Sequence, residues 1–154
     1  MRLAQRFVTR MSFLLGAAAL VLAADTASAQ SLGVRGGVTM NPDQVHFGGH
    51  YESPALIENL HFKPNIEIGF GDDTTLVAAN FEFVYKFGRY GDWHFYAGGG
   101  PAVNFYSFDG RDGQTEGGVN ALIGAEANNG LFFEVKLGAV DSPDVKFSVG
   151  WAFK

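Results

Sequence analysis

Apolar and polar residues alternate along most of the chain after residue 30, with the period of two that is typical of β-strands whose two faces differ. The C-terminal end shows this most clearly, because Phe147, Val149, Trp151 and Phe153 alternate with Lys, Ser, Gly and Ala. The pattern predicts eight strands, at residues 32–39, 45–52, 62–70, 79–87, 93–106, 116–126, 131–139 and 146–153. We find no convincing 3.6-residue period that would predict an amphipathic helix.

Short segments rich in Asp, Asn, Gly and Pro separate the predicted strands, as expected for hairpin connections. They lie at residues 41–43, 71–73, 91–92, 109–113, 128–130 and 141–144. Apolar residues at 56, 57 and 60 blur the turn within 53–60, and the Gly98-Gly99-Gly100-Pro101 segment predicts a bend or bulge in the long fifth strand. The sequence therefore predicts an all-β domain over residues 30–154, a single antiparallel up-and-down barrel of eight strands.

Residues 1–29 have the layout of a secretory signal peptide. Three Arg residues in the first ten positions precede the apolar run 13–24, and Ala27-Ser28-Ala29 is a suitable cleavage site. The run holds 12 residues, which is too short for a helix crossing ~30 Å of hydrocarbon. We therefore expect export, removal of residues 1–29 and a mature chain that begins at Gln30.

The composition excludes several classes of function. Without residues 1–29 the chain has eight basic and 15 acidic residues, a net charge of −7, so it should repel nucleic acid. It has no Cys and therefore no thiolate metal site or disulfide. No Gly-rich phosphate loop leads into a helix, and we expect no cofactor.

The charged residues indicate which face of each strand lies inside the barrel. None of the charged residues falls on the apolar face of a strand. On the opposite face, which we call the mixed face, 11 of them lie beside many glycines. These residues are Arg35, Glu52, Lys63, Glu67, Glu82, Lys86, Glu116, Glu126, Glu134, Lys136 and Lys146. Glycines next to long charged side chains fit the crowded interior of an eight-stranded barrel, so we expect the apolar faces to meet lipid. The alternative is a soluble periplasmic barrel with inverted faces and an apolar ligand inside.

Aromatic residues on the apolar faces form two belts in this topology, as on a lipid-facing surface. One belt holds Tyr51, Phe62, Tyr85, Phe87, Trp93, Phe95, Phe133, Trp151 and Phe153, and the other holds Phe47, Phe70, Phe105 and Phe147.

The mature chain resembles the small eight-stranded outer-membrane barrels of the OmpA and opacity-porin type. The segments 63–71 and 146–153 are similar to strands of uncharacterised bacterial β-barrel proteins. The resemblance implies location in the cell outer membrane among lipids and lipopolysaccharide, biogenesis through periplasmic chaperones and the barrel-assembly machinery, and a monomer.

Charged residues on the mixed faces are the first candidate site, and we interpret them as a structural network that neutralises the lumen. Its predicted members are Arg35, Glu67, Glu82, Lys86, Glu134 and Lys136. The alternative is a narrow ion or small-solute path. We therefore expect a structural, envelope-integrity role, with a porin-like channel as the second hypothesis.

No enzymatic site is expected. Lipid A deacylases of this architecture present a His and a Ser near each other, but no His-x-Ser occurs here. His46 and His50 share one strand face about 13 Å apart, which is too far to chelate one metal. We interpret them as ordinary interior polar residues.

Aspartates in the turns of one rim are the second candidate site. They are Asp72, Asp73, Asp109, Asp112, Asp141 and Asp144. Their carboxylates suit Ca²⁺ or Mg²⁺ that would bridge to lipopolysaccharide phosphates, but Asp is also a favoured turn residue.

Overall fold

The computed structural model of the protein describes residues 30–71 and 73–154, so the predicted signal peptide and Asp72 lie outside the described residues. The described chain forms eight strands: β1 (Ser31–Met40), β2 (Gln44–Glu52), β3 (Leu60–Gly71), β4 (Thr74–Tyr90), β5 (Trp93–Phe108), β6 (Gln114–Ala127), β7 (Leu131–Val140) and β8 (Val145–Phe153). Each strand pairs antiparallel with the next, and β1 pairs with β8. The predicted eight-stranded antiparallel up-and-down barrel is thereby confirmed.

The two ends of the barrel differ in which parts of the chain they hold. Since the strand number is even, residues 30 and 154 lie at the same end, together with the turns that follow β2, β4 and β6. We call this end the near rim. The turns that follow β1, β3, β5 and β7 form the far rim, which holds those candidate aspartates that the structure describes.

Alternation along the strands places most large apolar side chains outside the barrel and most charged side chains inside. On β3, Ile66 is 40 % exposed whereas Glu67 is 1 % exposed. On β1, Val34 is exposed and Arg35 is buried. A barrel that holds an apolar ligand would need the opposite orientation, so the inverted-face alternative is wrong about which side chains line the lumen.

Strand β4 is longer than the alternation predicts, because it begins at Thr74 instead of residue 79. Leu76 and Ala78 point inward in this extension and are buried. From Leu76 to Ala79 apolar residues therefore occupy both faces, so alternation does not distinguish the inner face there. Together with β5, β4 extends at the near rim to a hairpin turn at Gly91 and Asp92.

Of the bend or bulge predicted at Gly98–Pro101, the bulge is not found. The register opposite β6 is continuous through this segment, the register opposite β4 is the same on both sides of Gly100 and Pro101, and the shift in the β4–β5 ladder lies between Lys86 and Gly88. The glycines instead permit close approach to β4. A Cβ atom on Gly98 would lie 2.0 Å from the carbonyl oxygen of Phe83. This position is therefore a glycine because the backbone of β4 occupies the space that a side chain would need.

Replacing Gly98 by alanine should destabilise the barrel by about 1–3 kcal/mol, because the added methyl group overpacks a site walled by backbone. The free energy of unfolding, from urea titration of the refolded chain, measures the effect. Gly117→Ala is the matched control, since a Cβ there meets no atom within 4 Å. Equal stability of the two variants would contradict the close-approach explanation.

Candidate functional site

Charged side chains inside the barrel form a connected network of ion pairs, with Glu67 of β3 at its centre. Its carboxylate lies 3.3 Å from Arg35 Nη1 and 3.4 Å from Lys136 Nζ, and it also accepts a hydrogen bond from Lys146 Nζ. All four side chains are almost completely buried. Cations from β1, β7 and β8 thus converge on one carboxylate, which ties opposite walls of the barrel together.

Glu134 of β7 is the second centre of the network, closer to the near rim. Arg35 Nη1 donates to Glu134 Oε1 at 2.8 Å, and the Tyr96 hydroxyl donates to Glu134 Oε2 at 2.9 Å. Lys63 Nζ lies 3.7 Å from the same carboxylate and 4.4 Å from the centroid of the Tyr96 ring. The Tyr96 ring therefore covers the ammonium group of Lys63, which shares the Glu134 carboxylate with Arg35.

A row of amide side chains crosses the lumen beside these ion pairs. Asn120 donates to Asn80 at 2.7 Å, and Asn80 donates to Asn65 at 2.8 Å. Asn65 in turn donates to Glu82 at 2.7 Å, and Glu82 Oε1 lies 2.8 Å from Lys136 Nζ. Hydrogen bonds between side chains inside the barrel thus connect β6, β4 and β3 to the ion pairs.

Five of the six residues that the sequence proposed for the lumen network lie in this central cluster: Arg35, Glu67, Glu82, Glu134 and Lys136. The sixth, Lys86, lies at the near rim, where it pairs with Glu52 and has a side chain that is 25 % exposed. A second pair at this rim joins Lys154 to Glu126 at 2.7 Å.

Several residues of the central cluster were not among the proposed site residues. They are Asn65, Asn80, Tyr96 and Asn120, whereas Lys63 and Lys146 were among the charged residues that the sequence placed on the mixed faces. Each lies on an inward strand position, which is the signal that could have included them. Their side-chain hydrogen-bond and ion-pair partners lie on other strands. Alternation within one strand indicates which residues point inward but not which of them pair with one another.

His46 makes a contact that the sequence did not suggest. Its Nε2 lies 3.0 Å from Ser148 Oγ, and its Nδ1 lies 2.9 Å from Thr39 Oγ1. His46 and Ser148 are 102 positions apart in the sequence. They meet because only one strand, β1, lies between β2 and β8 in the closed barrel. A hydroxyl stands where a Ser–His–Asp triad has a carboxylate, and His46 is 1 % exposed, so the arrangement fits a structural role.

The candidate aspartates that the structure describes are exposed at the far rim: Asp73, Asp109, Asp112, Asp141 and Asp144. Asn41 donates to Asp144 at 2.9 Å, and Asn104 donates to the backbone carbonyl of Asp141 at 2.9 Å. Within residues 30–71 and 73–154, no group of three or more His, Asp or Glu side chains could hold a metal ion. Contacts through cations to lipopolysaccharide therefore stay a prediction.

The comparisons with known proteins leave the family open. No protein-family model matches the chain, and no curated protein matches it. The resemblance to small outer-membrane barrels therefore stays an expectation from the sequence. In the part of the chain that the structure describes, no helix is long and apolar enough to cross a membrane.

Proposed function

We propose that the protein is an integral outer-membrane barrel with a structural role in the cell envelope and a lumen that its own side chains close. The observation that carries the proposal is the combination of an apolar outer surface with a charged, hydrogen-bonded interior. Water favours the opposite distribution, since exposed apolar area is unfavourable in water and buried charge is costly. A surrounding lipid phase accounts for both.

The size of the apolar surface supports this proposal. In the described chain, 25 large hydrophobic residues are exposed, including Phe47 at 60 % and Phe70 at 54 %. Soluble monomers rarely expose contiguous apolar patches larger than a few hundred Å². The strands have 9–17 residues, and a transmembrane β-strand needs about 9–11.

The outer membrane is the membrane we propose because the sequence begins with a predicted export signal. A closed barrel satisfies its backbone hydrogen bonds between strands, as a membrane-spanning β-structure must. In this proposal lipids and lipopolysaccharide surround the barrel, and the far rim faces away from the cell. Periplasmic chaperones and the barrel-assembly machinery would act during its biogenesis.

A structural role is favoured over a channel because of what crosses the lumen. The pairs around Glu67 and the hydrogen bonds from Asn120 to Glu82 run from wall to wall. An eight-stranded barrel has an interior just wide enough for side chains. The inside therefore works as a polar core that holds the strands together.

Fractionation of cells that express the full chain tests the membrane assignment. We expect the protein in the outer-membrane fraction, with a gel mobility that shifts on boiling because the folded barrel resists detergent. A soluble band that boiling does not shift would overturn the proposal. Reconstitution in planar bilayers then tests the closed lumen: we expect no steady current, whereas regular conductance steps would favour the channel.

A further inference from the structure

The side-chain amide of Asn65, on β3, lies between a carboxylate and an amine inside the barrel. Its Nδ2 donates to Glu82 Oε2 at 2.7 Å, and its Oδ1 lies 3.4 Å from Lys136 Nζ. The same oxygen accepts a hydrogen bond from Asn80 Nδ2 at 2.8 Å. Since a carboxylate only accepts and an ammonium group only donates, these neighbours determine which end of the amide is oxygen. Two donors therefore polarise the Asn65 carbonyl group.

Glu82 contacts both the amine and the amide nitrogen. Its Oε1 lies 2.8 Å from Lys136 Nζ, while its Oε2 accepts the hydrogen bond from Asn65. The three residues are buried, with exposed fractions of 0 % for Glu82, 1 % for Lys136 and 3 % for Asn65. One carboxylate thus connects two groups that can react with each other, in a place almost closed to water.

These contacts provide the parts of an acyl-transfer site. The Lys136 amine is the nucleophile, and the Asn65 amide carbon, Cγ, is the atom it would attack. Glu82 can take a proton from the amine and return one to the leaving nitrogen. Asn80 donates to the oxygen on which negative charge develops. Each role has one side chain in contact with the atom it must serve.

Lys136 Nζ is near enough to reach the amide carbon. Cγ is bonded to Oδ1 at about 1.2 Å, so it lies at most about 4.6 Å from Nζ. Reacting atoms in a near-attack geometry are about 3–3.5 Å apart. The amine therefore has to move by only about 1 Å, and the lysine stem of four carbons is flexible.

We propose that Lys136 and Asn65 join in an isopeptide bond, with Glu82 as the proton carrier. Glu82 first takes a proton from the Lys136 ammonium group, and the neutral amine attacks Asn65 Cγ. The Nζ–Cγ bond forms and the Cγ–Nδ2 bond breaks. A second proton passes from Nζ through the Glu82 carboxyl group to Nδ2, which leaves as ammonia. Atoms and charge balance without an oxidant or any further reactant.

The reaction removes one positive and one negative charge from the lumen together. Lys136 becomes a neutral amide, and Glu82 keeps the first proton as a carboxylic acid. Glu67 loses one of its three cations but retains Arg35 and Lys146. Because burial disfavours charged forms, the exchange of an ion pair for neutral groups suits this interior.

The bond would tie β3 to β7 across the lumen. Asn65 and Lys136 are 71 positions apart and meet because the barrel closes. The bond should therefore form only after the chain has folded. Its basis is the lumen alone, so it does not rest on the proposed membrane location.

Mass spectrometry before and after refolding tests the bond. The full chain is purified unfolded from inclusion bodies and refolded in detergent, and its mass should then fall by about 17 Da, the mass of one ammonia. Trypsin cleaves after Lys and Arg, except before Pro and at an acylated lysine. The digest should therefore contain one branched peptide that joins residues 36–86 to residues 112–146.

Two results would overturn the proposal. One is a refolded barrel that yields only linear peptides after prolonged incubation. The other is a loss of ammonia without the branched peptide, because other side-chain amides also release ammonia when they cyclise. Neither result depends on where the protein lies in the cell.

Variants identify the reacting groups. Lys136→Arg keeps the positive charge, but a guanidinium group keeps its proton and does not attack, so the branched peptide should disappear. Lys146→Arg is the matched control and should retain it, because Lys146 Nζ pairs with Glu67. Glu82→Gln should slow bond formation about 100-fold or more. A branched peptide that forms at the wild-type rate in Lys136→Arg or Glu82→Gln would contradict the mechanism. If a variant does not refold, fragmentation of the wild-type branched peptide decides, since it locates the bond at Lys136 and Asn65 or elsewhere.

Discussion

Replacing Glu67 by glutamine should destabilise the barrel by about 3–5 kcal/mol, the effect expected when one partner of a buried ion pair is removed. The reason is the number of cations that share this carboxylate. Arg35, Lys136 and Lys146 all contact it, and each of these side chains is at most 4 % exposed. Glutamine has nearly the same shape, so the loss reports on charge and not on a cavity. Urea unfolding of the refolded chain provides the free energy.

Asp112→Asn is the matched control for this change, because it removes one carboxylate charge from an exposed position on the far rim. Its stability should stay within about 0.5 kcal/mol of the wild type. A loss below about 1 kcal/mol in Glu67→Gln would contradict the central role of this residue. The cations would then be balanced by other groups.

Replacing Ile66 by arginine should destabilise the barrel in lipid vesicles by about 2–4 kcal/mol, the cost of a cation at the bilayer midplane. Ile66 points outward, with the outward rings of Phe62 and Phe70 on either side of it along β3. It therefore lies in the middle of the proposed membrane band. On a soluble barrel, the same change at a 40 % exposed position would cost little.

Thr115→Arg is the control that distinguishes the effect of depth in the membrane from the effect of introducing an arginine at any outward position. Thr115 is exposed on β6 and pairs with Phe105, which belongs to the aromatic belt near the far rim. Arginine at this interface should cost only about 0–1 kcal/mol. Equal costs at Ile66 and Thr115 would contradict the proposed lipid-facing surface, whatever the behaviour of the lumen.

The sequence alone determined the number of strands and the orientation of their faces. Alternation is local, because each residue in a strand points opposite to its neighbours, and the positions of Val34, Arg35, Ile66 and Glu67 could be assigned from that rule. Alternation gave wrong predictions where the two faces of a strand carry residues of similar polarity. Strand β4 therefore started earlier than predicted, and the glycines of β5 suggested a bulge that lies elsewhere.

Only the tertiary structure decided which interior residues pair with one another. Arg35 and Glu134 are 99 positions apart and meet because the sheet closes and fixes the register across the lumen. The same closure brought Ser148 to His46, placed Lys86 at the rim, and brought the Lys136 amine to the Asn65 amide. Pairing depends on distances across the barrel, and no local pattern in the sequence contains those distances.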